Sequence, residues 1–196
     1  MRLVLASQSP SRRMLLEQGG VAPVLRPADL DEDALIASLH DAPPATIVAA
    51  LARAKTETAI AEFPDDVVVG CDSMLLLDGE LLGKPHTVDE TVRRWKAQRG
   101  KVAQLLTGHA VWFGGEWAVD TVATSIRFGD VSDADIEAYA RSGQPLECAG
   151  AFTLEALGSW FIDAIDGDPT SVIGLSMPLL RRCLYRFGLD ASDFWA

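Results

Sequence analysis

Hydrophobic residues in this chain come in short runs separated by polar turns, and the runs follow two different periods. Leu3, Val4, Leu5 and Ala6 form a continuous apolar block that predicts a strand over residues 3–6. The polar turn Ser7-Gln-Ser-Pro10 follows, and a helical pattern over 12–18 stops at Gly19-Gly20. A second short strand is expected over 21–26, then helices over 31–39 and 46–63 on either side of the Pro43-Pro44 break. Val67-Val-Val-Gly-Cys71 is apolar without interruption and predicts a buried strand over 67–71. Apolar runs over 74–77 and 80–82 flank Asp78-Gly79, a pair suited to a type I′ hairpin turn. A helix is expected over 88–98, then a long hairpin of strands 104–113 and 117–128 across Gly114-Gly115, then a helix over 133–141 capped by Ser132. The last third predicts strands over 151–154 and 160–165 and a closing helix over 178–187. Strands and helices mix without strict alternation. The pattern therefore predicts an α/β fold with a mixed sheet and packed helices, and not a purely parallel doubly wound sheet.

Composition narrows the class. The 196 residues suffice for one well-cored domain, and 48% hydrophobic with 23% charged residues excludes wholesale disorder. No apolar run approaches the roughly 20 residues that span a bilayer, and the N-terminal strand pattern is not that of a signal peptide. Cys71, Cys148 and Cys183 are odd in number and widely spaced, which fits a reducing cytoplasm better than a disulfide framework or a zinc site. A formal net charge of −11 argues against nucleic acid and membrane surfaces as partners. An anionic substrate remains compatible with it if the few cations cluster and a divalent metal offsets the carboxylates beside them.

The first turn is where such a cluster is expected. Ser9 suits a helix N-cap and Pro10 a first helical turn. Free backbone N–H groups, the hydroxyls of Ser7 and Ser9 and the guanidinium groups of Arg12 and Arg13 then converge as a phosphate site. The same segment also reads as an ordinary strand-to-helix turn with surface arginines. Asp72 directly follows the apolar run of 67–71, which places a carboxylate at the end of a buried strand, either for metal and water or as a turn cap. Lys84, in Leu82-Gly-Lys-Pro85, is presented by a glycine and a proline, as a site residue or a solvated one. Lys55, among small apolar residues of a helix, either snorkels outward or points into a site. Glu32, in Leu30-Asp-Glu-Asp33, either compensates a helix dipole or joins Asp72 on a metal. No phosphate-binding glycine loop, zinc-protease motif or nucleophile elbow is present, and His40, His86 and His109 have no spacing that suggests ligation.

Eight segments in order resemble the Maf family of nucleoside triphosphate pyrophosphatases, known also as septum formation proteins. They are Leu5-Ala-Ser-Gln-Ser-Pro-Ser-Arg-Arg13, Leu30-Asp-Glu32, Leu51-Ala-Arg-Ala-Lys55, Val69-Gly-Cys-Asp72, Gly83-Lys-Pro85, Leu106-Thr-Gly108, Ala149-Gly-Ala-Phe152 and Val172-Ile-Gly-Leu175. The resemblance implies a single domain over 1–196, with a curved mixed sheet, flanking helices and an elongated two-lobed shape around a central cleft. It implies hydrolysis of a nucleoside triphosphate to monophosphate and pyrophosphate with Mg²⁺ or Mn²⁺, by a homodimer. It assigns the proton acceptor to Asp72, phosphate contacts to Ser7, Arg13, Lys55 and Lys84, and a metal position to Glu32. Two other functions are compatible with the sequence: a nucleotide-binding regulator of septum formation without turnover, and an inosine-triphosphate-type pyrophosphatase.

Departures from the family pattern bear on the base. Ser73 follows Asp72 where the thymidine- and uridine-triphosphate group has threonine, and Glu155 stands where that group has glutamine. Pro145-Leu-Glu-Cys-Ala-Gly150 looks closer to the branch acting on 7-methyl-GTP. A carboxylate only accepts hydrogen bonds, so Glu155 suits the adjacent N–H donors of a guanine edge.

Overall fold

A computed structural model describes all residues 1–196. Seven strands, β1 (Leu3–Leu5), β2 (Val24–Leu25), β3 (Val67–Leu77), β4 (Glu80–Leu82), β5 (Val102–Phe113), β6 (Glu116–Phe128) and β7 (Ile162–Asp166), form one sheet in the order β2-β1-β3-β5-β6-β7, with β4 on β3. Seven α-helices accompany it: α1 (Pro10–Gln18), α2 (Glu32–Ser38), α3 (Pro44–Ile60), α4 (Val88–Gln98), α5 (Asp133–Arg141), α6 (Pro169–Ile173) and α7 (Met177–Arg186). Strand β1 pairs in parallel with β2 and β3, whereas β3–β4 and β6–β7 are antiparallel. The sheet is mixed, as the unequal alternation of elements predicts. No helix is long and apolar enough to cross a membrane.

The chain divides into two compact units. The first comprises Met1–Asp72, Thr107–Val122 and Gly174–Ala196, and the second Ser73–Leu106 and Ala123–Ile173. In the first, Ser9 caps α1 by accepting from the Arg12 N–H, and Pro10 fills the first turn. Strand β2 keeps only two of the six residues expected over 21–26, because Pro23 and Pro27 bracket it and cannot donate to a ladder. Val21 instead makes an isolated antiparallel bridge with Trp195.

Two glycines decide how α3 meets the sheet. A Cβ on Gly70 of β3 would overlap the Thr56 hydroxyl and the Ala52 carbonyl, and one on Gly108 of β5 would overlap the Val48 backbone. The helix backbone therefore lies directly against both strands. Its buried face is Ile47, Val48, Leu51, Ala52, Lys55, Thr56 and Ala59. Thr56 completes the contact, its hydroxyl lying 2.9 Å from the Ala52 carbonyl and 3.0 Å from that of Ala110 on β5.

The second unit is built around Trp95 of α4, which is fully buried. Its ring meets Phe128, Tyr139 and Phe161 edge-on at 5.4, 5.7 and 5.6 Å, and Phe128 meets Phe152 at 5.3 Å. The Trp95 indole donates to the Ala151 carbonyl at 2.7 Å, so burial leaves that N–H satisfied. Asp78 and Gly79 both take positive φ, as a type I′ turn requires.

Two expectations fail here, and one element goes unpredicted. Residues 151–154 do not form a strand: Gly150 and Ala151 adopt positive φ, and Ala149–Ala151 is a 3₁₀ turn whose carbonyls receive Trp95 and Gln98. Strand β7 begins at Ile162 and not at 160, because Leu157–Phe161 is also 3₁₀. Helix α6 was not expected at all, since five residues carry too little periodicity to register.

Candidate functional site

Asp72 does not end its strand. It lies within the eleven residues of β3, where a buried carboxylate needs a partner. Lys55 provides one: its ammonium donates to Asp72 Oδ1 at 2.7 Å, with both side chains about 10% exposed. The same ammonium lies 3.0 Å from Glu32 Oε1. Glu32 occupies the first turn of α2 after the Asp31 N-cap, so it compensates the dipole and also reaches the lysine. Residues 32, 55 and 72 thus form one chain of charge, carboxylate–ammonium–carboxylate, in which the central cation is held by the helix seated on Gly70 and Gly108.

The turn after β1 is organised around Ser7. Its Oγ accepts from Arg12 Nη1 at 3.0 Å and from the Ser9 N–H at 3.2 Å. With both lone pairs used, the Ser7 hydroxyl hydrogen is left as a donor. Arg12 is buried, and its Nε donates to the Gly174 carbonyl at 2.8 Å. Gly174 has φ +129°, and a Cβ there would press on the guanidinium at 3.1 Å. Arg12 thus ties the turn to the segment before α7. Arg13 faces the other way, exposed and paired with Glu17 at 2.6 Å one helical turn on. Ser7, Gln8, Ser9, Pro10, Arg13, Leu25 and Pro27 line a cavity of about 260 Å³.

Lys84 and Glu155 belong to the second unit. The Gly83 carbonyl accepts from Arg94 Nη1 at 2.6 Å and from the Gly150 N–H at 3.2 Å, which fixes the loop that presents Lys84. Its ammonium is half-exposed and lies 3.5 Å from Glu147. His86 hydrogen-bonds the same carboxylate at 3.1 Å and, with the Lys84 charge, holds it below the usual carboxylate range. Glu155 is exposed in the segment after Phe152. His109, in the first unit, is buried with Nε2 accepting from the Ser176 N–H at 2.8 Å, a structural role.

Burial raises the thiols of all three cysteines above their ordinary value. Burial pushes the thiols of Cys71 and Cys148 up to about 11, so neither forms a thiolate near neutral pH. The residues that sequence reasoning missed are the seats. Gly70, Gly108 and Gly174 supply no chemistry, but the first two bring Lys55 to Asp72 and the third admits Arg12. A glycine inside an apolar strand run is the available signal for such close approach.

The family model described as Maf-like protein matches residues 2–187, and the chain belongs to that family. A protein of Corynebacterium efficiens named nucleoside triphosphate pyrophosphatase is 64% identical over 195 residues, covering 100% of this chain and 99% of its own. Its namesake in Corynebacterium glutamicum is 60% identical with the same coverage, and that of Nocardia farcinica is 51% identical over 203 residues, covering 98% of this chain and 96% of its own.

Proposed function

We propose that this chain is a nucleoside triphosphate pyrophosphatase that cuts between the α- and β-phosphates and clears non-standard or surplus nucleotides. The observation that carries the reading is the Glu32–Lys55–Asp72 cluster, in which Lys55 and Asp72 are buried, on a chain whose full-length relatives bear that name. Water adds to the α-phosphorus, its proton passes to the Asp72 carboxylate, and the bridging bond to the β-phosphorus breaks with release of pyrophosphate. Lys55, held beside Asp72, supplies positive charge to non-bridging oxygens. The Ser7 hydroxyl, set as a donor by Arg12, and the α1 N-terminus capped by Ser9 add hydrogen bonds. Arg13 and Lys84, both exposed and paired only with surface carboxylates, are free to exchange those partners for phosphate oxygens.

The carboxylates suit Mg²⁺ or Mn²⁺. Glu32 Oε1 and Asp72 Oδ1 each lie within 3.0 Å of the Lys55 ammonium, and hard cations take oxygen donors from one or two carboxylates together with substrate phosphates. Glu32 and Asp72 would hold the metal, which supplies charge neutralisation for the leaving pyrophosphate. The same reading takes residues 1–196 as one functional domain of a cytoplasmic homodimer. Glu155 reads the base, which gives a guanine-type preference, closer to the 7-methyl-GTP branch, or broad specificity, over strict dTTP and UTP specificity.

Phosphorus NMR of the protein with GTP, 7-methyl-GTP, dTTP or UTP and diamagnetic Mg²⁺ tests this. The expected products are a monophosphate and pyrophosphate, with the guanine nucleotides consumed fastest. Orthophosphate and a diphosphate would refute the cleavage site, and a strong dTTP preference would refute the role of Glu155.

A further inference from the structure

One ammonium stands between the two carboxylates that the proposed reading gives to a metal, and it contacts one oxygen of each. Mg²⁺ and Mn²⁺ need oxygens at about 2.0–2.2 Å, and a metal held by these two carboxylates would stand within about 4 Å of the ammonium, where the two cations repel. We infer that Lys55 is the resident counter-cation of the Glu32–Asp72 pair, and that a divalent metal enters only by displacing its ammonium, which then serves the nucleotide. The inference rests on the metal role proposed for these carboxylates.

The surrounding structure suits such an exchange. The backbone of α3 lies directly against Gly70 and Gly108, and Asp72 lies within β3, so the exchange needs no movement of either anchor. Lys55 carries its charge on a flexible four-carbon stem that can swing without the helix. Glu32 rides on α2, none of whose residues is buried, and its side chain is about half exposed. It can close around a metal at little packing cost. The arrangement keeps both carboxylates paired with a cation before metal arrives, where an unpaired buried carboxylate would be costly. It also makes the free protein a poor metal binder by design.

Mn²⁺ binding to the full chain without nucleotide, followed by loss of the free-ion EPR signal, tests the exchange. Lys55→Met is expected to bind Mn²⁺ roughly tenfold tighter than wild type, a coupling of the usual size between competing ligands. Lys55→Arg, which keeps a cation, should bind as weakly as wild type, and Lys55→Met with Glu32→Gln should lose the gain. In the presence of saturating Mn²⁺, Lys55→Met should bind α,β-methylene-GTP more weakly than wild type. These two effects have opposite signs, whereas a merely structural lysine would weaken both. Should Lys55→Met fail to fold, Lys55→Gln carries the same expectations. Equal or weaker Mn²⁺ binding in the neutral variants, or no binding in any of them, overturns the inference. Pyrophosphate release by the wild type is a separate readout. Its absence alongside tighter Mn²⁺ binding in Lys55→Met would refute the proposed function and leave the displacement standing.

Discussion

The two units spend their burial on different groups. The second buries rings: Trp95, Phe128, Tyr139 and Phe152 are each under 5% exposed and meet edge to face. The first buries charge: Arg12, Lys55 and Asp72 are all under 10% exposed. Burying a ring stabilises through area and dispersion and tolerates modest change nearby. Burying a charge is favourable only while each partner stays in place, and removing one leaves the other uncompensated. Loss of a ring should therefore register in stability, and loss of a charged partner in both stability and function.

The largest stability loss is expected in the aromatic unit. Trp95→Ala removes the ring at its centre and the bond to Ala151, and should cost about 3–5 kcal/mol in urea unfolding. Tyr139 sharpens the same point through pH. Burial pushes its hydroxyl up to about 12 against an ordinary value near 10. The folded state thus holds that proton more tightly than the unfolded chain. This contribution is complete below about pH 10 and is lost as pH rises toward 12, by roughly 3 kcal/mol. Tyr139→Phe should flatten the stability decline over that window, as read from unfolding curves at successive pH values.

In the charged unit, Gly70→Ala breaks the helix seat. The added methyl meets Thr56 and the Ala52 carbonyl, for a stability loss of about 1–3 kcal/mol. Turnover should fall further than stability suggests, because Lys55 moves with α3 away from Asp72. A variant as active as wild type would separate the seat from the site. Ser7→Ala is the mildest change. It removes one hydrogen bond to substrate and the acceptor that Arg12 and the Ser9 N–H share, and should raise KM about three- to tenfold, measured by steady-state pyrophosphate release, with a stability loss of about 1–2 kcal/mol.

How far the sequence could be read follows from which interactions are local. Val88–Gln98 and Asp133–Arg141 have the expected bounds, because Thr87 and Ser132 cap them and their apolar positions repeat at helical spacing. The Asp78-Gly79 turn was equally legible, since its positive φ values need those residue types. The stretch 151–154 was not, because Ala151 is a non-glycine residue at φ +59°, set by the Trp95 and Gln98 side chains that reach its turn from α4. At the site, residue types and family resemblance nominate Glu32, Lys55 and Asp72. Their assembly into one cluster depends on α3 lying on two glycines, a tertiary contact that no spacing encodes. For the same reason nothing in Arg12-Arg13 shows that the first arginine turns inward to Ser7 and Gly174 while the second faces solvent.

The central claim is that the buried carboxylate at 72 does the chemistry, and Asp72→Asn tests it most directly. Asparagine keeps the shape and a hydrogen bond to Lys55, while Glu32 still pairs with the ammonium, so the variant should fold. Its rate of pyrophosphate release from GTP or 7-methyl-GTP with Mn²⁺ is predicted to fall at least about 100-fold, with an unfolding transition close to that of wild type. A well-folded Asp72→Asn that releases pyrophosphate at near the wild-type rate would contradict the account.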